Sequence, residues 1–277
     1  MTELKKHFAV IGNPIHHSLS PQIHRAFAKE TGLHIEYEAI LSPPDEFKHT
    51  IHKLILQKLR GANVTLPFKK EAYELATTRS NHARIAEAVN TLEFKEDQII
   101  GHNTDGFGLT RDLEQNLHAH LKGKKILLIG AGGAAESVIF SMLEKNPSEL
   151  TLTNRTIEKS NVIQNKMDVH AKSFDVNLNV IDIAKCPHQY FDLIINATSA
   201  SLKNADLDLN HKVFHEGSLA YDMMYGKETS FIKQAQSQGS KTSDGLGMLI
   251  EQAAEAFYLW HHIKPETKLV IESLRAN

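Results

Sequence analysis

Residues 125–135 read Lys-Ile-Leu-Leu-Ile-Gly-Ala-Gly-Gly-Ala-Ala, and this stretch decides the fold. The dense apolar run Lys125–Ile129 has the character of a strand buried on both faces. After the glycine turn, Ala134–Lys145 places Val138, Ile139, Met142 and Leu143 at helical spacing. Between them lies Gly130-x-Gly132-x-x-Ala135. The first glycine permits a tight turn, the second lets backbone approach a pyrophosphate, and the small residue at 135 lets helix and strand pack closely. The first amides of the helix and its positive end then face the phosphates. A bare glycine pattern is weak evidence; its position between strand and helix favours nucleotide binding over a merely structural turn.

Reading onward, Leu150–Thr153 is the next strand and ends in Asn154-Arg155-Thr156. An NAD-binding unit places Asp or Glu about twenty residues past the glycines, for the ribose hydroxyl. No carboxylate sits at this tip. Arg155 is a planar, permanently charged fork suited to a phosphate, and Lys159 adds charge one helical turn on. NADP is therefore expected in preference to NAD; the competing reading makes both residues solvated surface cations. Phe174–Ile183, Asp192–Ile195 and Leu219–Asp222 are further strand candidates.

A similar alternation precedes the glycine turn. Phe8–Ile11, Ile35–Ile40 and Ala62–Leu66 read as strands, helices open near Pro21, Pro43-Pro44-Asp45 and Pro67, and Thr91–Phe94 pairs with Gln98–Ile100 as a hairpin. Two such series predict an α/β protein of two units, with a boundary inside Asn103–Lys124. In the tail, Leu246, Leu249, Ile250, Ala253, Phe257 and Trp260 form one helical stripe, and a second helix spans Pro265–Arg275. Periodicity alone does not say which unit these helices join.

The chain has 277 residues, 41% hydrophobic and 23% charged, with no repeat and no low-complexity tract. That is ordinary globular composition. The 31 basic and 33 acidic residues give a formal charge of −2, which carries no electrostatic footprint for nucleic acid or an anionic membrane. The charged start, Met1 to His7, runs into a short strand-like segment and is not expected to be a signal h-region, and no apolar run approaches the ~20 residues that span a bilayer. Cys186 is the one cysteine, so no internal disulfide forms. The expectation is a soluble cytoplasmic protein acting on a small molecule, with no nucleic-acid or membrane partner. None of the 17 histidines has metal spacing with a third ligand nearby, so no metal is expected.

Polar segments cluster in the first unit. Ser18 and Ser20 lie just before a helix; two-residue spacing in an extended segment would aim both the same way, while Ser20 as a helix cap is the plainer alternative. Asn63 and Thr65 share one face of a strand that runs into Lys69. A cation in the first turn of a helix opposes the dipole, and such local violations tend to be functional; the alternative is a solvated surface lysine. Ala88-Val89-Asn90-Thr91 and Asn103-Thr104-Asp105-Gly106 put amides, hydroxyls and a carboxylate at loop ends, where ligand groups gather, although the same residues also favour plain turns.

Together the segments HSLSP (17–21), NVTLPFK (63–69), AVNT (88–91), NTDG (103–106), GAGGAA (130–135), NRT (154–156), NATS (196–199), YDMMY (221–225) and DGLGMLIEQA (244–253) resemble shikimate dehydrogenases, in the family's order and across nearly the whole chain. The resemblance implies an N-terminal substrate domain with a mixed or parallel sheet and a C-terminal Rossmann-like NADP-binding domain, separated by a cleft. It returns the last helices to the first domain, giving a shikimate-binding domain of 1–104 plus 245–277 and an NADP-binding domain of 105–244. It implies reversible reduction of 3-dehydroshikimate to shikimate, a step toward the aromatic amino acids.

By the same resemblance Lys69 and Asp105 are the catalytic pair, and Ser18, Ser20, Thr65, Asn90, Tyr225 and Gln252 hold the substrate. The cofactor would contact Gly130, Ala131, Gly132, Gly133, Ala134 and Ala135, then Asn154, Arg155, Thr156 and Lys159, with Met223 and Gly245 near the nicotinamide. The chemistry agrees: a cofactor brings the hydride, and a lysine can protonate the ketone oxygen and stabilise its developing charge. A neighbouring carboxylate favours the ammonium and burial disfavours it; the sequence does not weigh the two. An amide at 252 on an otherwise apolar stripe demands a polar partner, whereas Met248 reads as packing.

The chain departs from the family at Ala200–Asn204, where relatives often carry a glycine, and it follows Tyr225 with Gly226-Lys227-Glu228. A broader quinate/shikimate dehydrogenase is the nearest rival, and Arg155 argues against its NAD-using members. A catalytically silent sensor on the same fold is the other, and retention of both Lys69 and Asp105 argues against that. Monomer and homodimer are both compatible with the sequence.

Overall fold

The structure, a computed structural model, describes residues 5–182, 190–198 and 213–276. The departure at Ala200–Asn204, Ser199 of the NATS segment, Ile183 and Cys186 lie outside the described residues. The chain forms two compact units, Met1–Gly108 with Ile250–Asn277, and Leu109–Leu249.

The first unit runs β1 (Lys6–Gly12), α1 (Ser20–Thr31), β2 (Ile35–Leu41), α2 (Phe47–Leu56), β3 (Leu59–Val64), α3 (Lys69–Leu75), β4 (Thr78–Arg79), α4 (Asn81–Ala86), β5 (Thr91–Lys95), β6 (Gln98–His102) and α5 (Asp105–Arg111). The strand order is β2-β1-β3-β5-β6-β4. β1 pairs in parallel with β2 and β3, while β5 is antiparallel to both β3 and β6. The sheet is mixed for a simple reason: Glu96 and Asp97 join β5 to β6, and so short a link cannot make a parallel crossover. Both faces are buried. On β1, Phe8 and Val10 pack with Ile15 and Tyr37, while Ala9 and Ile11 join Phe47, Ile51 and Phe68 on the opposite face. The expected helix start at Pro67 is corrected: Pro67 follows a cis peptide bond and lies in a turn, so α3 begins at Lys69.

The second unit contains β7 (Lys125–Ile129), α6 (Gly133–Leu143), β8 (Glu149–Thr153), α7 (Ile157–Ser173), β9 (Asn177–Val180), β10 (Leu193–Asn196), β11 (Leu219–Asp222), α8 (Ser230–Ser237) and β12 (Lys241–Asp244). All its strands are parallel, in the order β12-β11-β10-β7-β8-β9. The chain leaves β7 toward β8 and β9, then returns to build β10, β11 and β12 on the other side. The strand order therefore reverses between β7 and β10, the place where open α/β sheets bind ligands. The strand expected from Phe174 starts only at Asn177, because α7 runs to Ser173 and a turn follows.

The tail forms α9 (Leu246–His261) and α10 (Lys268–Arg275). Within the first unit, Trp260 stacks on Phe8 at 4.8 Å between ring centroids and Phe257 meets Phe27 at 5.7 Å. The Trp260 indole N–H donates to the Leu92 carbonyl at 3.0 Å. The apolar stripe of α9 thus finds its partner on the Phe8 face of the first sheet.

His24 lies inside this aromatic group, fully buried and stacked 4.2 Å from Tyr37. Burial, then the neighbouring His261, lowers its pKa to about 3, with an opposing interaction from Asn63. A group whose pKa is depressed in this way takes up its proton in the unfolded chain first. Stability is full above the ordinary histidine value and is lost as pH falls from 6.5 toward 3. At pH 4.5 the loss from His24 is about 3 kcal/mol, since each pKa unit is worth ~1.4 kcal/mol. Urea unfolding at pH 7 and pH 4.5 should show that decrease, and His24→Phe should show a smaller one. An identical pH dependence in the variant would rule out His24 as the source.

Candidate active site

Lys69 opens α3 and Asp105 opens α5. The Lys69 ammonium donates to Asp105 Oδ2 at 2.6 Å. The lysine side chain is 25% exposed and the carboxylate 10%, so the cation can be reached from solvent while its counter-ion stands behind it. Asp105 suits the positive end of α5; Lys69 opposes that of α3 and is held by the carboxylate instead. The backbone fixes the pair, because the Lys69 carbonyl accepts from Val89 N–H at 2.9 Å, and Asp105 N–H donates to Asn103 Oδ1 at 3.1 Å.

Around this pair the first unit is polar and closed. Asn90 Nδ2 donates to Asp105 Oδ1 at 2.8 Å, to Thr104 Oγ1 at 3.0 Å and to Gln252 Oε1 at 3.3 Å. Gln252, half-buried on α9, also accepts from Thr104 Oγ1 at 3.4 Å. The amide on the apolar stripe has found its partners. Ser20 is buried in the first turn of α1. Thr65, half-buried, is placed by its N–H donating to the Ile11 carbonyl at 2.9 Å, which ties the ends of β1 and β3 together.

Two of the arguments about serine are corrected. The segment before α1 is not extended, because Leu19 has φ −81° and ψ −9°, so the two-residue spacing does not aim Ser18 and Ser20 alike. Nor does Ser20 cap α1: Leu19 occupies that position, and the Ser18 hydroxyl instead accepts from Ser20 N–H at 3.3 Å. Both hydroxyls stay at the head of the helix.

The second unit carries the other candidates. At the end of β7, Gly130 has φ +118° and donates its N–H to the Thr153 carbonyl at 2.8 Å. A Cβ there would also stand 3.2 Å from the Ala197 backbone, so glycine is required on two counts. Gly132 and Gly133 have no atoms within 4 Å of where a Cβ would project. Ala135 is buried beneath them. The first intrahelical bond of α6 runs from Glu136 N–H to Gly132 C=O, so the preceding amides of Gly133, Ala134 and Ala135 are left for an anion. Ile129 pairs with Thr153, which sets the tip of β8 beside this turn. Arg155, Thr156 and Lys159 are exposed there, and Asn154 Nδ2 donates to the Thr156 carbonyl at 2.9 Å. The open cradle, its amides and these cations fit a phosphorylated dinucleotide, and no carboxylate stands among 154–156 to repel a ribose phosphate.

Asp222, fully buried, shapes the YDMMY segment: Oδ1 accepts from Met224 N–H at 3.0 Å and Oδ2 from Thr229 Oγ1 at 2.6 Å. Tyr225 is half-buried, and burial pushes its hydroxyl above the ordinary tyrosine value. A Cβ on Gly245 would meet the Met223 carbonyl oxygen well inside van der Waals contact. Backbone cannot yield as a flexible side chain can, so Gly245→Ala should cost about 1–3 kcal/mol. Chemical denaturation checks this; an unchanged midpoint would mean the two segments separate freely.

Lys69, Asp105, Asn90 and Gln252 are joined in one network; Ser18 and Ser20 lie at the head of α1, and Thr65 directly follows β3. Tyr225, Met223 and Gly245 belong to the second unit with the glycine turn. Sequence reasoning left out Tyr37 and gave Asn63, Thr91 and Thr104 no individual role. The available signal was repeated Asn and Thr at strand ends among apolar neighbours. Among the described residues no group of three His, Cys, Asp or Glu is placed to hold a metal ion, and no helix is long and apolar enough to cross a membrane.

Known proteins match this arrangement along the whole chain. Residues 10–92 match a shikimate dehydrogenase substrate binding domain, 112–213 a shikimate / quinate 5-dehydrogenase domain, and 245–275 a shikimate 5'-dehydrogenase C-terminal domain. A shikimate dehydrogenase (NADP(+)) of Methylobacillus flagellatus is 48% identical over 270 residues, 97% of this chain and 98% of its own. Among solved structures, an Ael1 enzyme from Pseudomonas putida has a TM-score of 0.93 and 40% identity, covering 98% of each chain. Shikimate 5-dehydrogenase of Thermus thermophilus, in complex with NADP(H) and shikimate, has a TM-score of 0.85 and 30% identity, covering 98% of this chain and 99% of its own.

Proposed function

Because this chain belongs to the shikimate dehydrogenase family, we propose that Lys69 and Asp105 are the groups with which it carries out the family's reaction. It is an oxidoreductase, and the reaction is the reversible NADPH-dependent reduction of 3-dehydroshikimate to shikimate. The single observation that carries the assignment of residues is the 2.6 Å contact between Lys69 and Asp105 at the head of two helices.

Reduction of a ketone leaves charge on its oxygen, and that oxygen needs a proton. Bound NADPH supplies the hydride. The Lys69 ammonium has three N–H donors, one of which goes to Asp105. The remainder stabilise the developing alkoxide, and one proton passes to it. Asp105 keeps the ammonium in place, and it can also accept from a substrate hydroxyl. Asn90 and Gln252 bring amide groups to the same spot, suited to further hydroxyls. Ser18, Ser20 and Thr65 supply hydroxyl donors for the substrate carboxylate, and Tyr225 is a further phenol suited to a substrate oxygen. The first unit, with its returning tail, is thus the shikimate-binding domain.

The second unit is the NADP-binding domain. Residues 130–135 would take the pyrophosphate on the first amides of α6, as the observed cradle permits. Asn154, Arg155, Thr156 and Lys159 would take the ribose phosphate. Met223 and Gly245 would flank the nicotinamide.

NADPH absorbance followed with 3-dehydroshikimate, then with NADH, and in reverse with shikimate and with quinate, tests the assignment. Efficient turnover is expected with NADPH, 3-dehydroshikimate and shikimate, and weak turnover with NADH or quinate. Equal use of quinate would move the chain to the broader quinate/shikimate enzymes, and no turnover would leave a sensor on this fold.

A further inference from the structure

We propose that Tyr37, Asn63 and Thr91 are positioning residues for the catalytic pair: they form a buried hydrogen-bond chain that fixes the Asn90 amide and, through it, the Asp105 carboxylate. The proposal rests on the reading of Lys69 and Asp105 given above.

Donor direction along the chain is determined link by link. The Thr104 backbone N–H can only donate, and it donates to Asn90 Oδ1 at 2.9 Å. The other amide atom of Asn90, Nδ2, is therefore the one facing Asp105 Oδ1 at 2.8 Å. The Asn90 backbone carbonyl can only accept, and Asn63 Nδ2 donates to it at 3.4 Å. That orients the second amide, so Asn63 Nδ2 also donates to Thr91 Oγ1 at 3.1 Å and Asn63 Oδ1 accepts from the Tyr37 hydroxyl at 2.7 Å. Thr91 has a single hydroxyl proton. Having accepted from Asn63, it donates to Asn90 Oδ1 at 3.0 Å. The far end of the chain is the Tyr37 hydroxyl.

Tyr37, Asn63, Thr91 and Asn90 are each at most 5% exposed, so water does not readily replace a lost partner. A turned Asn90 amide would set its carbonyl oxygen against the Asp105 carboxylate. Asp105 would then swing, and the Lys69 ammonium with it.

Thr91→Val keeps the shape of the side chain and removes the hydroxyl. Its kcat for 3-dehydroshikimate reduction should fall about tenfold, equivalent to ~1.4 kcal/mol in the barrier. The KM for NADPH should stay at the parental value, and Thr91→Ser should restore most of the kcat. Tyr37→Phe removes one oxygen from a ring still stacked on His24 and should lower kcat about threefold, acting two links further from the Asn90 amide than Thr91, consistent with a neutral hydrogen bond. Parental kcat in both Thr91→Val and Tyr37→Phe would overturn the proposal. So would equal loss in Thr91→Ser and Thr91→Val, because that pattern reports packing rather than a hydrogen bond. A parental protein with no reductase activity would instead sink the catalytic reading, and this proposal with it.

Discussion

Lys69→Ala is expected to lower the turnover of 3-dehydroshikimate reduction by about three orders of magnitude, within the range for loss of a positioned proton donor that also carries charge. The ammonium lies 2.6 Å from Asp105 and is one quarter exposed, so it is held in place with donors open to a substrate oxygen. The other side chains bonded in the network around Asp105, namely Asn90, Asn103, Thr104 and Gln252, carry no charge. Removing the lysine leaves the carboxylate facing the developing negative charge. That inverts the local field as well as losing the proton. The KM for NADPH should change little, because the glycine turn and Arg155 belong to the second unit. Steady-state kinetics with both substrates varied would separate these quantities. Near-parental kcat would take Lys69 out of the mechanism. Asp105→Asn provides a matched comparison: its size is kept, the ammonium loses its counter-ion, and kcat should again fall strongly.

The second large effect is expected at Arg155. Arg155→Asp should raise the KM for NADPH by about a hundredfold, the scale of losing a charge-assisted contact and gaining a repulsive one. The position is at the tip of β8, whose last residue, Thr153, accepts from the Gly130 N–H at 2.8 Å. The proposed pyrophosphate cradle and ribose-phosphate reader are thus tied together by a backbone hydrogen bond. An aspartate at 155 repels the ribose phosphate of NADPH but can accept from the free ribose hydroxyl of NADH. The ratio of kcat/KM for the two cofactors should therefore fall steeply, while NADH use holds or improves. Equal losses with both cofactors would mean that Arg155 supports the loop and reads nothing. Lys159→Ala should give a smaller change in the same direction, since a lysine acts as a point charge without the paired geometry.

Much of the second unit was legible from residue order. Lys125–Ile129 and Leu219–Asp222 occupy the residues that their apolar runs indicate, because a strand covered on both faces must be apolar at successive positions. β12, Lys-Thr-Ser-Asp, escaped notice for the converse reason. It lies at the edge of its sheet, and its pairing with β11 is made by backbone, which carries no side-chain signature. β4 is only Thr78–Arg79 and is likewise defined by its register with Ile100 and Gly101. Pro67 misled because a proline near a helix start looks alike whether it sits within the helix or in the turn before it.

The candidate site was legible as a set of polar residues and not as an arrangement. Glycines at 130, 132 and 133, a cation at 155 and a lysine at a helix start each carry their chemistry in their type and local spacing, so the order of residues alone was enough to single them out. What joins Asn90 to Gln252, or sets Lys69 against Asp105, is separated by 162 and 36 positions along the chain. Those meetings depend on which sheet face α9 covers and on a hairpin that turns the second half of the first sheet antiparallel. Local propensity has no term for either, because both follow from burying apolar surface at long range; only the folded packing decided them.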